Sequence, residues 1–168
     1  MLKAFARIVI ILFTVGVYGS TDYRPSAFIE DTKLIGSLHQ NNEVEMFLGI
    51  PFAAPPINDL RWEKPVAWIP ENKKEIIANK FKPGCVQNQR IVNWYKRLIL
   101  DFGGDPGTFD IPKFSEDCLY LNLWRPKGLR NNLPVVVYIH GGSNKAGWSY
   151  EPNYLCLLYT SPSPRDRH

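Results

Sequence analysis

Three hydrophobic patterns run along the chain. The first is continuous. Residues 133–139, LPVVVYI, are apolar without a break and lead into His140 and the pair Gly141–Gly142. A β-branched run of this kind predicts a strand over residues 133–140, covered on both faces as in a parallel α/β sheet. The second pattern is alternating. CLYLNLW, residues 118–124, predicts a strand, and the runs 32–39 and 44–50 around the polar turn QNNE predict a hairpin. The third is helical. VNWYKRLIL, residues 92–100, places Trp94, Leu98 and Ile99 at helix-compatible spacing and stops at the breaker DFGGDPG.

Prolines and lysines divide these elements. Pro51, Pro55 and Pro56 end any strand or helix after the hairpin. The stretch that follows, PPINDLRWEKPVAWIP, is irregular, and its Trp62 and Trp68 are expected to pack. Residues 71–82 are lysine-rich and read as surface. There are no internal repeats.

The amino-terminal pattern is of another kind. Lys3 and Arg7 precede an apolar run that reaches Val17, and small residues follow. A charged start, a short apolar stretch and a small-residue exit predict a secretory signal peptide over residues 1–19, and so a secreted, extracellular protein. The run is shorter than the roughly 20 residues a membrane span needs. No other stretch could serve as a transmembrane helix. Secretion permits disulfides, and the chain holds three cysteines, Cys85, Cys118 and Cys156.

Composition narrows the class. Of 168 residues, 45% are hydrophobic and 21% charged, which is globular and not disordered. The net charge is +4, and the basic residues are scattered without a stripe of interleaved aromatics. Nucleic-acid binding is therefore not expected. No pattern in the chain specifies an oligomeric state.

A buried strand that runs into two glycines puts unobstructed backbone at the carboxyl end of a sheet, where ligands of open α/β sheets bind. Two N–H groups aimed at one point there can stabilise a developing negative oxygen. Three stretches in this order, FLGIPFAAPPINDLRW (47–62), SEDCLYLNLWRP (115–126) and VVVYIHGGS (135–143), resemble the type-B carboxylesterase/cholinesterase family of α/β-hydrolases. The resemblance covers roughly residues 30–155 and corresponds to the amino-terminal part of a much longer catalytic domain. It implies an α/β fold: a mixed, mostly parallel central sheet preceded by an antiparallel hairpin, incomplete in this chain. The corresponding domain is expected to occupy residues 20–155.

The resemblance assigns roles to particular residues. It makes the N–H groups of Gly142 and Ser143 the oxyanion donors, with Gly141 shaping the turn. Most members carry a third glycine where this chain has Ser143, whose Cβ restricts the backbone. It implies a disulfide between Cys85 and Cys118, and a structural ion pair between Arg61 and Glu116. Cholinesterases stack choline on a tryptophan at the position of Thr108, so selectivity for choline esters is not implied. Trp94 is expected to pack. The implied substrate is a small carboxylic ester, hydrolysed with neither cofactor nor metal.

The nucleophile motif Gly-x-Ser-x-Gly occurs nowhere in the 168 residues. Ser143 has Gly141 on one side and Lys145 on the other. Ser149 has Gly147 and then Glu151. His140 belongs to the glycine turn and precedes the position of a catalytic base in the family's order; His39 and His168 read as solvated bystanders. No residue of the chain is therefore expected to be a nucleophile, acid or base, and the chain alone is expected to be inactive. Residues 156–168, CLLYTSPSPRDRH, depart from the family and are expected to be a divergent or non-native tail; an authentic short splice form is the rival reading. A rival for function also stands: a cholinesterase-like adhesion or receptor ectodomain that kept the fold and lost the triad.

Overall fold

The computed structural model describes residues 23–40, 42–70, 75–128 and 132–152. The expected signal peptide and the expected tail from residue 156 lie outside the described residues. In chain order the elements are β1 (Ser26–Ile29), β2 (Thr32–Ile35), β3 (Ser37–Leu38), β4 (Val44–Pro51), β5 (Glu75–Ile77), β6 (Gly84–Cys85), α1 (Arg90–Asp101), β7 (Phe114–Ser115) and β8 (Tyr120–Pro126).

The expected hairpin forms, but with a shorter first arm. β3 pairs antiparallel with β4, Ser37 opposite Met46 and Leu38 opposite Glu45. The turn closes through His39 N–H to the Val44 carbonyl at 2.8 Å. Residues 32–35 do not continue this arm. They form β2, antiparallel to β1 and parallel to β5. The division falls at Gly36, whose N–H turns away to the Pro25 carbonyl at 2.8 Å.

β4 then pairs antiparallel along its length with β8, from Val44–Pro126 to Pro51–Tyr120, with a bulge between Leu48 and Ile50. Ala78 joins this sheet to the first. Its N–H donates to the Ile35 carbonyl at 2.7 Å, and its carbonyl accepts from Leu48 N–H at 2.8 Å. Leu34, Phe47, Ile50 and Ala78 fill the junction. Each fully buried Leu, Ile or Phe of such a cluster contributes about 1.5–3 kcal/mol.

Glu45 is buried beside this core and does not stand alone. It accepts hydrogen bonds from the Tyr23 hydroxyl and from Arg125 Nε, the latter at 2.5 Å. Arg125 also donates to the Ser26 carbonyl at 2.9 Å, so the network ties β1 to β8. A buried carboxylate is tolerable when it is paired and hydrogen-bonded in this way.

The helix forms over 90–101, close to its expected span, but it turns a different face inward. Val92 and Tyr95 are buried, with Ile91, Leu98 and Ile99 beside them. Trp94 falls off that stripe and is half exposed, touching Tyr95 edge-on at 4.9 Å. Its expected packing role is therefore corrected: positions 91, 92, 95, 98 and 99 share one side of a 3.6-residue repeat, and 94 does not. Trp62 is corrected likewise. It is fully exposed at φ 63°, while its neighbour Arg61 turns back to meet Glu116. Trp68 is half-buried.

The largest departure is at 133–140. The expected buried strand pairs with no strand among the described residues, and Val135, Val136, Val137 and Ile139 are 84%, 90%, 78% and 84% exposed. β8 sits at the edge of the sheet ordered β3-β4-β8, and the run does not add to it. A β-branched run covered on both faces needs a neighbouring strand at each edge and a layer above and below. None of these lies beside it among the described residues.

Candidate functional site

Cys85 and Cys118 are joined at an S–S distance of 2.02 Å, closing a loop with a sequence separation of 33. Cys85 ends β6 in the short parallel ladder of β6 and β7, where Gly84 lies opposite Phe114 and Cys85 opposite Ser115, and Cys118 follows three residues after Ser115. Just before Cys118, Glu116 takes both arms of Arg61, Nε at 2.6 Å and Nη2 at 2.5 Å. The Arg61 bonds hold the Glu116 carboxyl below its ordinary range. This fork fastens the proline-rich segment 51–70 to the segment entering β8. Asp117 accepts the Tyr120 hydroxyl at 2.7 Å, and burial together with this bond pushes the Tyr120 phenol up to about 12.

The glycine turn is compact. The Gly142 carbonyl accepts from Lys145 N–H at 3.0 Å and from Ala146 N–H at 3.3 Å. Gly142 sits at φ 122°, and a Cβ there would collide with the Ala146 carbonyl. Only glycine fits such a position without strain. Ser143 follows at φ 56° and Asn144 at φ 55°, both in the left-handed region. For a serine that conformation costs about 1–2 kcal/mol. Among the described residues, no hydrogen bond engages the N–H of Gly142 or of Ser143. Gly141 has open space on its Cβ side, and His140 Nδ1 lies 2.9 Å from the Gly141 carbonyl.

Immediately after the turn, the chain is held firmly. Gly147 donates its N–H to Gln87 Oε1 at 2.6 Å, and its carbonyl accepts from Gln87 Nε2 at 2.8 Å. Trp148 is 3% exposed and packs with Val92 and Tyr95 of α1, flanked by Phe109 and Phe114. Buried Glu151 accepts the Tyr95 hydroxyl at 3.0 Å and the Trp148 N–H at 3.3 Å. Asn122 of β8 accepts from Gly49 N–H and donates to Ser149 Oγ, each at 2.8 Å. The segment 147–151 is thus bonded to the disulfide loop and to the β4–β8 sheet.

Sequence reasoning therefore named the turn, the disulfide and the Arg61–Glu116 pair, and missed Gln87, Trp148, Glu151 and Asn122. A glutamine two residues after a cysteine has no chemical signature of its own. Trp148 and Glu151 do carry a signal: a large aromatic and a carboxylate close behind a glycine turn, each needing a partner. Arg61 and Glu116 make no hydrogen bond to residues 141–147 among the described residues, so their pair fastens a different part of the molecule. Among the described residues there is no group of three or more His, Cys, Asp or Glu placed to hold a metal, and no helix long and apolar enough to cross a membrane.

Residues 25–158 match the carboxylesterase family. The chain is 35% identical over 146 residues to fumonisin B1 esterase of Sphingopyxis macrogoltabida, covering 81% of this chain and 24% of that protein. It is 41% identical over 107 residues to carboxylesterase 5A of Mus musculus, covering 62% of this chain and 17% of that one. A solved PNB esterase superposes with a TM-score of 0.62 at 30% identity, over 77% of this chain and 24% of the other. The chain thus spans a quarter or less of the length of these relatives. With this match along most of its described residues, the chain belongs to the carboxylesterase family, and its fold is part of an α/β-hydrolase.

Proposed function

We propose that residues 141–143 form the oxyanion-binding turn of a carboxylic-ester hydrolase, with the N–H groups of Gly142 and Ser143 as donors and Gly141 shaping their approach. In such a reaction a serine attacks the ester carbonyl, an acyl-enzyme forms, and water releases the acid. The carbonyl oxygen becomes negative in the tetrahedral intermediates. Two pre-set amides stabilise it without having to reorganise as the charge develops. The observation that carries this reading is the turn itself: two successive amides without partners among the described residues, in a bend fastened on its far side at Gly147, Trp148 and Glu151.

The chain alone is proposed to be inactive, because no position of its sequence matches the family's nucleophile, acid or base. The apolar leader over 1–19 and the Cys85–Cys118 bridge support a proposal of secretion.

The test is a chimera in which residues 25–152 replace the matching segment of a PNB esterase. Hydrolysis of a p-nitrophenyl ester is expected. Gly142→Ala, which forces the turn apart, should lower kcat by roughly 10²–10³-fold, the usual effect of losing one oxyanion donor. A crystal structure of the organophosphate adduct should place the phosphoryl oxygen against the amides of Gly142 and Ser143. An adduct whose oxygen rests elsewhere rejects the assignment.

A further inference from the structure

We infer that Gln87 is the positioning residue of the glycine turn, coupling it to the disulfide loop. The inference rests on the reading of Gly142 and Ser143 as oxyanion donors, and it adds a residue that touches neither amide. Gln87 stands two residues after Cys85, so its backbone is held by the bridge to Cys118. Its carboxamide faces the Gly147 peptide as a matched pair, accepting from the N–H at 2.6 Å and donating to the carbonyl at 2.8 Å. The second Nε2 hydrogen reaches the Cys85 carbonyl at 3.1 Å. The amide orientation is settled by chemistry: reversed, the NH2 group would point at an N–H, and the oxygen at two carbonyls.

Gly147 is the right place to hold such a turn. Its neighbour Ala146 donates back to the Gly142 carbonyl, closing the bend. Gly147 lies at φ 118°, and a Cβ there would stand 2.5 Å from both the Gly141 carbonyl and His140 Nδ1. Gly147 therefore leaves no room for a side chain between itself and the entering side of the bend, at His140 and Gly141. Trp148 secures the chain further on by packing in the aromatic cluster, and Glu151 by accepting from the Tyr95 hydroxyl and the Trp148 N–H, both beyond the bend itself. Among the described residues, Gln87 alone links the cysteine loop to Gly147 through paired hydrogen bonds. The side chain must both donate and accept at this reach. Leucine does neither, and a carboxylate only accepts.

Hydrogen exchange followed by mass spectrometry on the oxidised chain tests this without requiring catalysis. In Gln87→Leu the Gly147 amide should exchange about tenfold faster or more, as expected for a lost hydrogen bond, and the increase should extend across 141–146 while α1 stays protected. Reduction of the disulfide should loosen the same segment, and reducing the Gln87→Leu variant should add little there. Gln87→Glu separates positioning from packing. Its carboxylate repels the carbonyls of Gly147 and Cys85, whereas its protonated form donates to one of them. Protection of 141–147 should thus be lost at about pH 8 and recovered at about pH 4, relative to the wild type across the same range, since His140 and Glu151 also border Gly147. Unchanged exchange at Gly147 in Gln87→Leu overturns the inference. So does a Gln87→Glu chain that is as loose in acid as at neutral pH. If the exchange data hold but the chimera's phosphoryl oxygen avoids 142 and 143, Gln87 still orders the turn, and only the oxyanion assignment falls.

Discussion

Two adjoining stretches make opposite use of apolar side chains. Residues 133–139 are as hydrophobic as any part of the chain, yet Val136 is 90% exposed. Residues 147–151 mix glycine, tryptophan, serine, tyrosine and glutamate, yet Trp148 is 3% exposed and Glu151 5%. The difference is in partners, not composition. Trp148 meets Val92 and Tyr95, and Glu151 meets the Tyr95 hydroxyl. The valines meet no strand among the described residues. Burial is a relation between two surfaces, and a run of β-branched residues supplies only one of them.

The largest expected effect is at the anchored end. Trp148→Ala should destabilise the oxidised chain by about 3–5 kcal/mol, the usual range for emptying a large aromatic site. Urea unfolding at low protein concentration reads it. A loss smaller than about 1 kcal/mol would mean that 147–151 is no better held than 133–139, and the contrast would collapse. Next comes the covalent tie. Reducing Cys85–Cys118, which closes a loop with a separation of 33, should cost about 4 kcal/mol in the chain-entropy account. An unchanged urea midpoint after complete reduction would show that the denatured chain is already constrained.

The hairpin, α1 and β8 rest on local patterns: alternation, a 3.6-residue repeat, a glycine stop; the disulfide pairing followed from the family resemblance. Each element was legible within a residue or two, apart from the β2–β3 division at Gly36. A bend at Gly142 was legible because a glycine pair ends the apolar run, and Gly142 does sit at φ 122°. The buried face of α1 was not, because choosing between Trp94 and Tyr95 depends on where Trp148 lies, more than fifty residues later. Gln87 was invisible for a related reason. A carboxamide is ordinary until a backbone peptide is brought against it by the fold.

The acid limb of stability is the third test. Burial pushes the Glu45 carboxyl up, but the hydrogen bonds from Tyr23 and Arg125 and the charge of Arg125 outweigh it and hold the group below its ordinary value. A carboxyl depressed by folding stabilises the native state fully above its unfolded value of about 4.3, and that contribution is lost as pH falls through the folded value. Stability should therefore drop in acid, and Glu45→Gln should flatten the drop while lowering stability at neutral pH. A variant with the same acid slope as the wild type would place the titration elsewhere. A smaller effect is expected inside the turn. Ser143→Gly removes a side chain from φ 56° and should stabilise by up to about 1 kcal/mol, with Gln87 and Trp148 undisturbed. A loss of stability would mean that the serine side chain supports the turn.

The smallest expected change in stability comes from the exposed run, and it separates the two stretches most directly. Val136→Lys replaces a 90% exposed side chain with a charge. A substitution at such a position should alter the unfolding free energy by no more than about 0.5 kcal/mol. Association should respond quite differently. Successive exposed apolar residues form a template for pairing with another copy, and a lysine within the run opposes that pairing. Sedimentation should therefore show a concentration-dependent oligomer in the wild type and a smaller species in Val136→Lys, at nearly equal stability. If the lysine instead destabilises the chain by several kcal/mol, Val136 is buried in solution. The two stretches would then be alike, each packed against a partner, and the division between anchored and bare segments would be wrong.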